Sequence, residues 1–419
     1  LMQISTDLRR QGVSFSGYTI STALAQLMVM LFSLLLARYF GPEVSGGYTS
    51  AFAIASVTAI AFNLGLDTSL LRAGALAKDL QRTFGNVLLT KAAAGLVWAL
   101  LLFGIATKLR PDLYPPELLA ICILDVWFDS VFITSLAVFN IERKIKHYSL
   151  LILLSRGLKL LGLIALILAG NQNLLMFAEW RGLISLVFAI VAVVILRPRL
   201  TEPAFADIPG ILRQTRNFAI SDFLATVYMQ ADVVILSNIK GKAATGIYAP
   251  ALSLINALFV IPSAIYTYTI PTLSRWFKSN ADRFVDLSKK AILLLSAIGV
   301  IMSLAIAFLG IPATDLLLGQ KYTQTGELMV RLSPILFLKC LEFGFAAVIV
   351  AANKQKSRLI PQAVAAIANI GLNLLLIPRL GEFGAATVYL TTEIILFISY
   401  GIIAIKTLNI TRKISVESI

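Results

Sequence analysis

The sequence predicts an all-α polytopic membrane protein, with about twelve transmembrane helices arranged as two six-helix halves. Three observations carry this reading. Of 419 residues, 58% are hydrophobic and only 14% are charged, against about 25% charged in a soluble domain. Apolar runs of about 20 residues, the length that crosses a bilayer as a helix, recur along the whole chain. A short connector also occurs twice, as "ARYFGPEVSGGYTSAFAI" at 37–54 and "LSNIKGKAATGIYAPALSL" at 236–254, so that Gly41, Gly46 and Tyr48 fall on Gly241, Gly246 and Tyr248 at an offset of 200.

Taken in order, the apolar runs place spans at about 13–37, 48–70, 84–107, 117–140, 148–170, 174–196, 217–240, 246–270, 290–311, 327–352, 357–377 and 382–405. The first follows Arg9 and Arg10. It is too long for a signal h-region and lacks a small-residue cleavage site, so it is expected to stay as a span. The polar links near 197–216 and 271–289 are the longest, and both are too short to be folded domains. The halves are expected at 1–200 and 201–419. Span 8 holds Pro250, Pro262 and Pro271, whereas the N-terminal half has no mid-span proline, so the C-terminal half is expected to bend more during transport.

Lysine and arginine set the orientation. With the N-terminus in the cytoplasm, the cytoplasmic segments hold 23 of these cations and the outer segments seven. The expected topology is therefore N-in and C-in. The same distribution explains much of the net charge of +14 and removes the nucleic-acid reading that a basic chain invites. Six spans separate the two copies of the connector, so both lie on the outer side. That makes the halves parallel repeats, a known transporter plan, with Gly41, Gly46, Gly241 and Gly246 serving the turns.

No enzyme signature is visible. Gly241 and Gly246 have the glycine spacing of a phosphate-binding loop, but Ile247 stands where a lysine is required. His147, the single histidine, lies in a basic loop, and Cys122 and Cys340 read as small buried hydrophobes. No cofactor or metal is expected. With no nucleotide site on the chain, energy is expected from an ion gradient, from cargo concentration or from a partner.

Three stretches carry a resemblance: "RYFGPEVSGGYTSAFAI", "ADVVILSNIKGKAATGIYAPALSL" and "NIGLNLLLIPRLGEFGAATVYLTTE" at 369–393, the last with Asn373, the LIP at 376–378, Gly381 and Gly384-Ala385-Ala386. They are similar to the Wzx-type polysaccharide flippases, in the superfamily that also holds MATE multidrug exporters and lipid II flippases. The resemblance implies two bundles around a central cavity that opens to either side in turn. The implied cargo is a polyprenyl-pyrophosphate-linked oligosaccharide, moved from the inner to the outer leaflet of a bacterial inner membrane for surface polysaccharides such as O-antigen or exopolysaccharide. The implied partners are that lipid-linked oligosaccharide, membrane lipids, H+ or Na+ as a coupling ion, and a polysaccharide polymerase machinery. The chain departs from the lipid II flippases in having twelve spans and in lacking arginines in the middle of spans 1, 2 and 8.

Charges within the spans are the informative residues, because each is costly in hydrocarbon unless paired, hydrated or used. Asp125, Asp129, Arg156, Lys159, Asp232, Lys339, Glu342 and Glu393 lie near mid-span, while Lys91, Arg181 and Arg331 lie nearer the ends and are expected to snorkel. Asp129 and Lys159 are equidistant from the turn near Lys144 and are expected at one depth. Two readings stay open for the cations. One is charge pairing with Asp125, Asp129 and Glu342. The other is pyrophosphate binding by Arg156, Lys159, Lys339 and Arg331, for which the planar guanidinium fork is suited. Asp232 and Glu393 have no evident local cation and are candidates for ion coupling. Gln26, Asn63, Gln230, Asn256, Tyr266 and Tyr268 lie on spans that line the cavity in the resembled fold and are candidates for sugar contacts. Two other functions remain in view: a MATE-type cation-coupled multidrug antiporter, and a non-transporting scaffold of a polysaccharide assembly complex.

Overall fold

The computed structural model describes the backbone of residues 2–74, 79–197 and 204–417, and the side chains of 17–68, 70–71, 79–197, 215, 219–220 and 222–412. The side chains of Arg9, Arg10, Arg72, Lys78, Arg199, Arg213, Arg216 and Lys413, all counted above as cytoplasmic cations, lie outside the described residues. No strand occurs among the described residues.

The helices are α1 (Met2–Thr58), α2 (Ile60–Asn63), α3 (Leu66–Gly74), α4 (Leu80–Leu109), α5 (Pro116–Ile141), α6 (Ile145–Leu168), α7 (Leu174–Leu196), α8 (Ala204–Lys240), α9 (Lys242–Leu258), α10 (Val260–Ser279), α11 (Ala281–Leu318), α12 (Thr323–Leu332), α13 (Pro334–Ala351) and α14 (Leu359–Glu417). Counting α9 with α10, nine helices among the described residues are long and apolar enough to cross a membrane. The two longest far exceed one crossing. At 57 and 59 residues, α1 and α14 would run roughly 85 Å, nearly three times the hydrocarbon thickness. Each breaks at a glycine with positive φ, α1 at Gly41 and α14 at Gly381, and so holds two crossing lengths.

The chain divides into two compact units, Leu1–Thr226 and Val227–Ile419. The boundary expected at residue 200 falls in a stretch, 198–203, outside the described residues. Each unit is inverted relative to a protein folded in water. Leu100, Leu168, Phe308, Ile360 and Ile367 are exposed, whereas Lys91, Asp125, Lys159, Asp232, Lys339 and Glu393 are buried. Hydrocarbon solvates the first set at no cost and forces the second set inward.

The connector geometry recurs across the two units. Gly41 has φ 79 and ψ 173, and Gly241 has φ 84 and ψ −168, a conformation that is essentially restricted to glycine. Four residues on, Ser45 Oγ donates to Gly41 O at 2.6 Å and Thr245 Oγ1 donates to Gly241 O at 3.0 Å. Each following helix is interrupted at the same offset of 200, across Ala59 between α1 and α2 and across Phe259 between α9 and α10. The first unit thus has a helix break at the equivalent position without a proline. The break at Ala59 has a hydroxyl beside it, where Thr58 Oγ1 donates to Ile54 O at 2.6 Å and accepts from Trp98 Nε1 at 3.0 Å, and such back-bonding bends helices. The chain then turns through Leu64 (φ 47) and Gly65 (φ 66).

The stretch at 369–393 also has a local cause. A Cβ on Gly384 would sit 2.7 Å from Leu376 O, so only glycine lets the chain pass this close after the break at Gly381. Asn373 Nδ2 donates to Asn369 Oδ1 at 2.9 Å, and Asn369 Nδ2 contacts Thr392 Oγ1 at 3.3 Å, tying the two arms of α14 together in a fully buried position.

Candidate functional site

Three helices of the first unit each bring two polar side chains, one turn apart, to a single point. Asp125 and Asp129 come from α5, Arg156 and Lys159 from α6, and Arg181 and Ser185 from α7. Residues three or four apart share a helical face, so each pair is presented as a unit. Arg156 grips Asp129 with both arms of its fork, NH1 to Oδ1 at 2.7 Å and NH2 to Oδ2 at 2.9 Å. Lys159 Nζ donates to the same Oδ1 at 3.0 Å and to Ser185 Oγ at 2.6 Å, and lies 3.5 Å from Asp125 Oδ1. Arg181 Nε pairs with Asp125 Oδ2 at 2.8 Å, and its NH1 donates to Tyr48 OH at 2.7 Å. The Arg181 guanidinium also stacks on Phe52, 4.0 Å from the ring centroid.

The cluster therefore sets three cations against two carboxylates. Its outer side is a small pocket lined by Met28, Val29, Phe32, Arg156, Lys159 and Arg181, with a cavity volume of about 20 Å³, room for one water. The two carboxylates are not equivalent: the Asp125 side chain is 3% exposed and that of Asp129 25%. Asp129 is thus the more accessible carboxylate and Asp125 the more deeply buried one.

This arrangement corrects two sequence expectations. Arg181 does not snorkel but pairs with Asp125 at 2.8 Å. Lys91 does not snorkel either. Its side chain is fully buried, and Nζ donates to both oxygens of Asp67 at 2.9 Å, to Ser130 Oγ at 2.8 Å and to Thr134 Oγ1 at 2.7 Å. Asp67 was missed because it lies beyond the break at Leu64–Gly65, where helical periodicity fails. Arg181 and Ser185, four apart on one face, were a readable signal. Asn63, a candidate for sugar contact, accepts from Ser130 Oγ at 2.6 Å and is engaged in this second cluster.

The second unit holds a different cluster. Lys339 Nζ donates to both oxygens of Glu393 at 2.8 Å and lies 3.0 Å from Glu342 Oε2. Glu393 thus has a cation, which overturns the expectation that it stands unpaired. The triad sets one cation against two carboxylates. The rings of Tyr228 and Phe259 face the ammonium, with centroids 5.7 and 5.9 Å away. Asp232 is 1% exposed and, among the described residues, has no cation within ion-pairing distance. It accepts from Tyr248 OH at 2.5 Å and from Val233 N at 2.8 Å. Tyr48 and Tyr248, equivalent in the connector, thus both end on buried charge, one on a cation and one on an anion.

The remaining candidates are scattered. Arg331 is exposed, with its guanidinium 5.8 Å from the Phe383 ring centroid. Tyr268 is 71% exposed. Tyr266 packs on Phe343 at 5.5 Å between centroids. Gln26 is half-buried and Gln230 exposed. Asn256 is half-buried, and its Oδ1 meets no hydrogen-bond donor among the described residues. Cys122 and Cys340 are buried free thiols.

Residues 35–327 match a family model described as "polysaccharide biosynthesis protein". The chain belongs to the polysaccharide biosynthesis protein family. No curated protein matches it in sequence. Among solved structures, this family member is similar to the lipid II flippase MurJ in an inward closed conformation, with TM-score 0.74, 15% identity, and coverage of 96% of this chain and 90% of that one. It is similar to a multidrug resistance MATE family transporter of the MOP superfamily in an inward-facing conformation, with TM-score 0.72, 14% identity, and coverage of 93% and 96%. A MOP superfamily transporter from Pyrococcus furiosus matches with TM-score 0.63, 14% identity, and coverage of 95% and 96%. At these identities the likeness establishes the fold alone: a multi-pass, helical membrane fold shared with these proteins.

Proposed function

We propose that this polysaccharide biosynthesis protein is a flippase. It carries polyprenyl-pyrophosphate-linked oligosaccharide repeat units from the cytoplasmic to the outer leaflet of a bacterial inner membrane, with both termini in the cytoplasm, by alternating exposure to the two faces. The observation that carries the reading is the cation surplus of the first unit: Arg156, Lys159 and Arg181 against Asp125 and Asp129, at a pocket with an apolar wall of Met28, Val29 and Phe32. A buried surplus positive charge is costly in a membrane. An anionic head group offsets that cost, and Arg156 presents the fork that binds phosphate oxygens bidentately. The apolar wall suits the first part of a prenyl chain.

Two experiments test this. Deleting the gene should leave lipid-linked repeat units on the cytoplasmic leaflet and remove surface polysaccharide; normal surface polysaccharide would overturn the reading. With the purified full chain, farnesyl diphosphate should bind more tightly than inorganic pyrophosphate, and farnesol should not bind. Equal binding of the two diphosphates would point to a free anion as the ligand.

For coupling, Asp232 is the residue we favour, since it is buried with no cation partner among the described residues, whereas Glu393 is held by Lys339. One observation supports a second reading. The acidic surplus of Glu342 and Glu393 over Lys339 suits a cationic drug or ion, as a multidrug antiporter requires. New sensitivity to cationic drugs in the deletion strain, with surface polysaccharide intact, would favour it.

A further inference from the structure

The Arg156 fork is not vacant. Both of its arms are taken by the two oxygens of Asp129, at 2.7 and 2.9 Å, and Lys159 adds a third bond to the same carboxylate at 3.0 Å. A carboxylate and a phosphate present the same pair of acceptor oxygens to a guanidinium. Asp129 therefore has the geometry of the ligand the fork would otherwise hold. It is also the more exposed carboxylate of the cluster, 25% against 3% for Asp125. Asp125 is fixed from behind by Arg181 and Ser185, both on α7, whereas Asp129 is held by Arg156 and Lys159, both on α6.

We infer that Asp129 is a built-in competitor for the anionic head group, occupying Arg156 and Lys159 when cargo is absent and returning to them to expel it. The inference rests on the phosphate reading of this pocket and assigns a role within it to a residue that sequence alone reads as a structural partner. Two anions cannot share the fork, because like charges in one partly buried site repel strongly. Binding therefore requires Asp129 to swing away from α6, and release is favoured when it swings back. Asp125 takes no part in the exchange; Arg181 and Ser185 hold it in place and keep the site assembled. A transporter gains from such a device because a head group held by three buried cations alone would leave slowly, and transport needs a site weak enough to empty. The selectivity consequence is also direct. A singly charged head group offers the cations little more than Asp129 does, whereas a diphosphate offers more charge and more acceptor oxygens, and displaces it.

The test is the affinity of the purified full chain for farnesyl diphosphate, measured by titration calorimetry alongside transport of native cargo. Asp129→Asn should bind at least about tenfold more tightly than wild type and yet transport more slowly, while Asp129→Glu, which keeps the charge, should stay near wild-type affinity. Adding Arg156→Gln to Asp129→Asn should abolish the gain. Equal affinity of wild type and Asp129→Asn, with both lost on Arg156→Gln, would overturn the competitor while leaving the phosphate site standing. Binding insensitive to Arg156→Gln in every background would sink both. Should Asp129→Asn fail to fold, the wild type itself supplies the test. Protein labelled with ¹³C-aspartate should show a shift in a carboxylate infrared band when farnesyl diphosphate is added, and saturable binding without any such shift would rule the inference out.

Discussion

Arg181 and Asp125 form a largely buried ion pair in the first unit, with Nε 2.8 Å from Oδ2 and NH1 of the guanidinium bound to Tyr48 OH. The pair joins α7 to α5, and Tyr48 adds the helix that follows the first connector. Arg181→Met should therefore unfold the unit rather than merely weaken binding. Removing the closest cation of a buried carboxylate costs up to about 3–5 kcal/mol. Tyr48→Phe removes a single hydrogen bond to a charged group and should cost about 1.5–3 kcal/mol. Thermal denaturation in detergent measures both, and a loss under 0.5 kcal/mol for Arg181→Met would return this residue to the membrane surface.

The two connector glycines should behave alike. Gly41→Ala and Gly241→Ala each place a Cβ on a backbone conformation that costs about 1–3 kcal/mol for any other residue, although nothing lies within 4 Å of the added atom. Gly104 gives the control. It is helical in α4 and equally open, so Gly104→Ala should be neutral or stabilising by up to about 1 kcal/mol. Melting temperatures of the three variants decide the matter.

Lys339 serves two carboxylates, so its loss should exceed theirs. Lys339→Met leaves Glu342 and Glu393 buried together without a cation and should abolish folded protein. Lys339→Met combined with Glu393→Gln and Glu342→Gln should recover it, because removing all the charges of a buried cluster is cheaper than removing one. The yield of monodisperse protein on size-exclusion chromatography reports the result, and full recovery by Glu393→Gln alone would show that Glu342 does not depend on Lys339.

Topology can be read by single cysteines. Replacements at Lys144, Lys278 and Lys356 should react with an impermeant maleimide only from the cytoplasm, and those at Val44, Ala243 and Arg379 only from outside. All six positions are exposed in the structure. Labelling at 243 from the cytoplasmic side would undo the parallel arrangement of the two connectors.

Composition and apolar run length were enough for the helices, because a membrane leaves the backbone few alternatives. The connector was legible for a different reason: its glycines are demanded by φ, and φ does not depend on what surrounds them. Asp129 and Lys159 could be set at one depth by counting from the turn, and they lie 3.0 Å apart. The failures were also physical. Arg181 and Lys91 were judged by distance from the span ends, but burial depends on which face of a helix a side chain occupies, and the sequence does not give the rotation. Glu393 was judged by its neighbours on α14, whereas Lys339 reaches it from α13, a contact made only by tertiary packing. Asp67 follows a break that no proline announces.

The two units share their connector down to the backbone angles, and they break their second crossing at the same offset, yet one buries a surplus cation and the other a surplus anion. Frame and charge are thus separable in this molecule. The frame is written in glycines and helix breaks that tolerate little change. The sign of the buried charge is written in five ionisable side chains of one cluster and three of the other. Reversing that sign takes a few substitutions and no rebuilding of the scaffold, so such a chain can change its clientele far faster than its architecture.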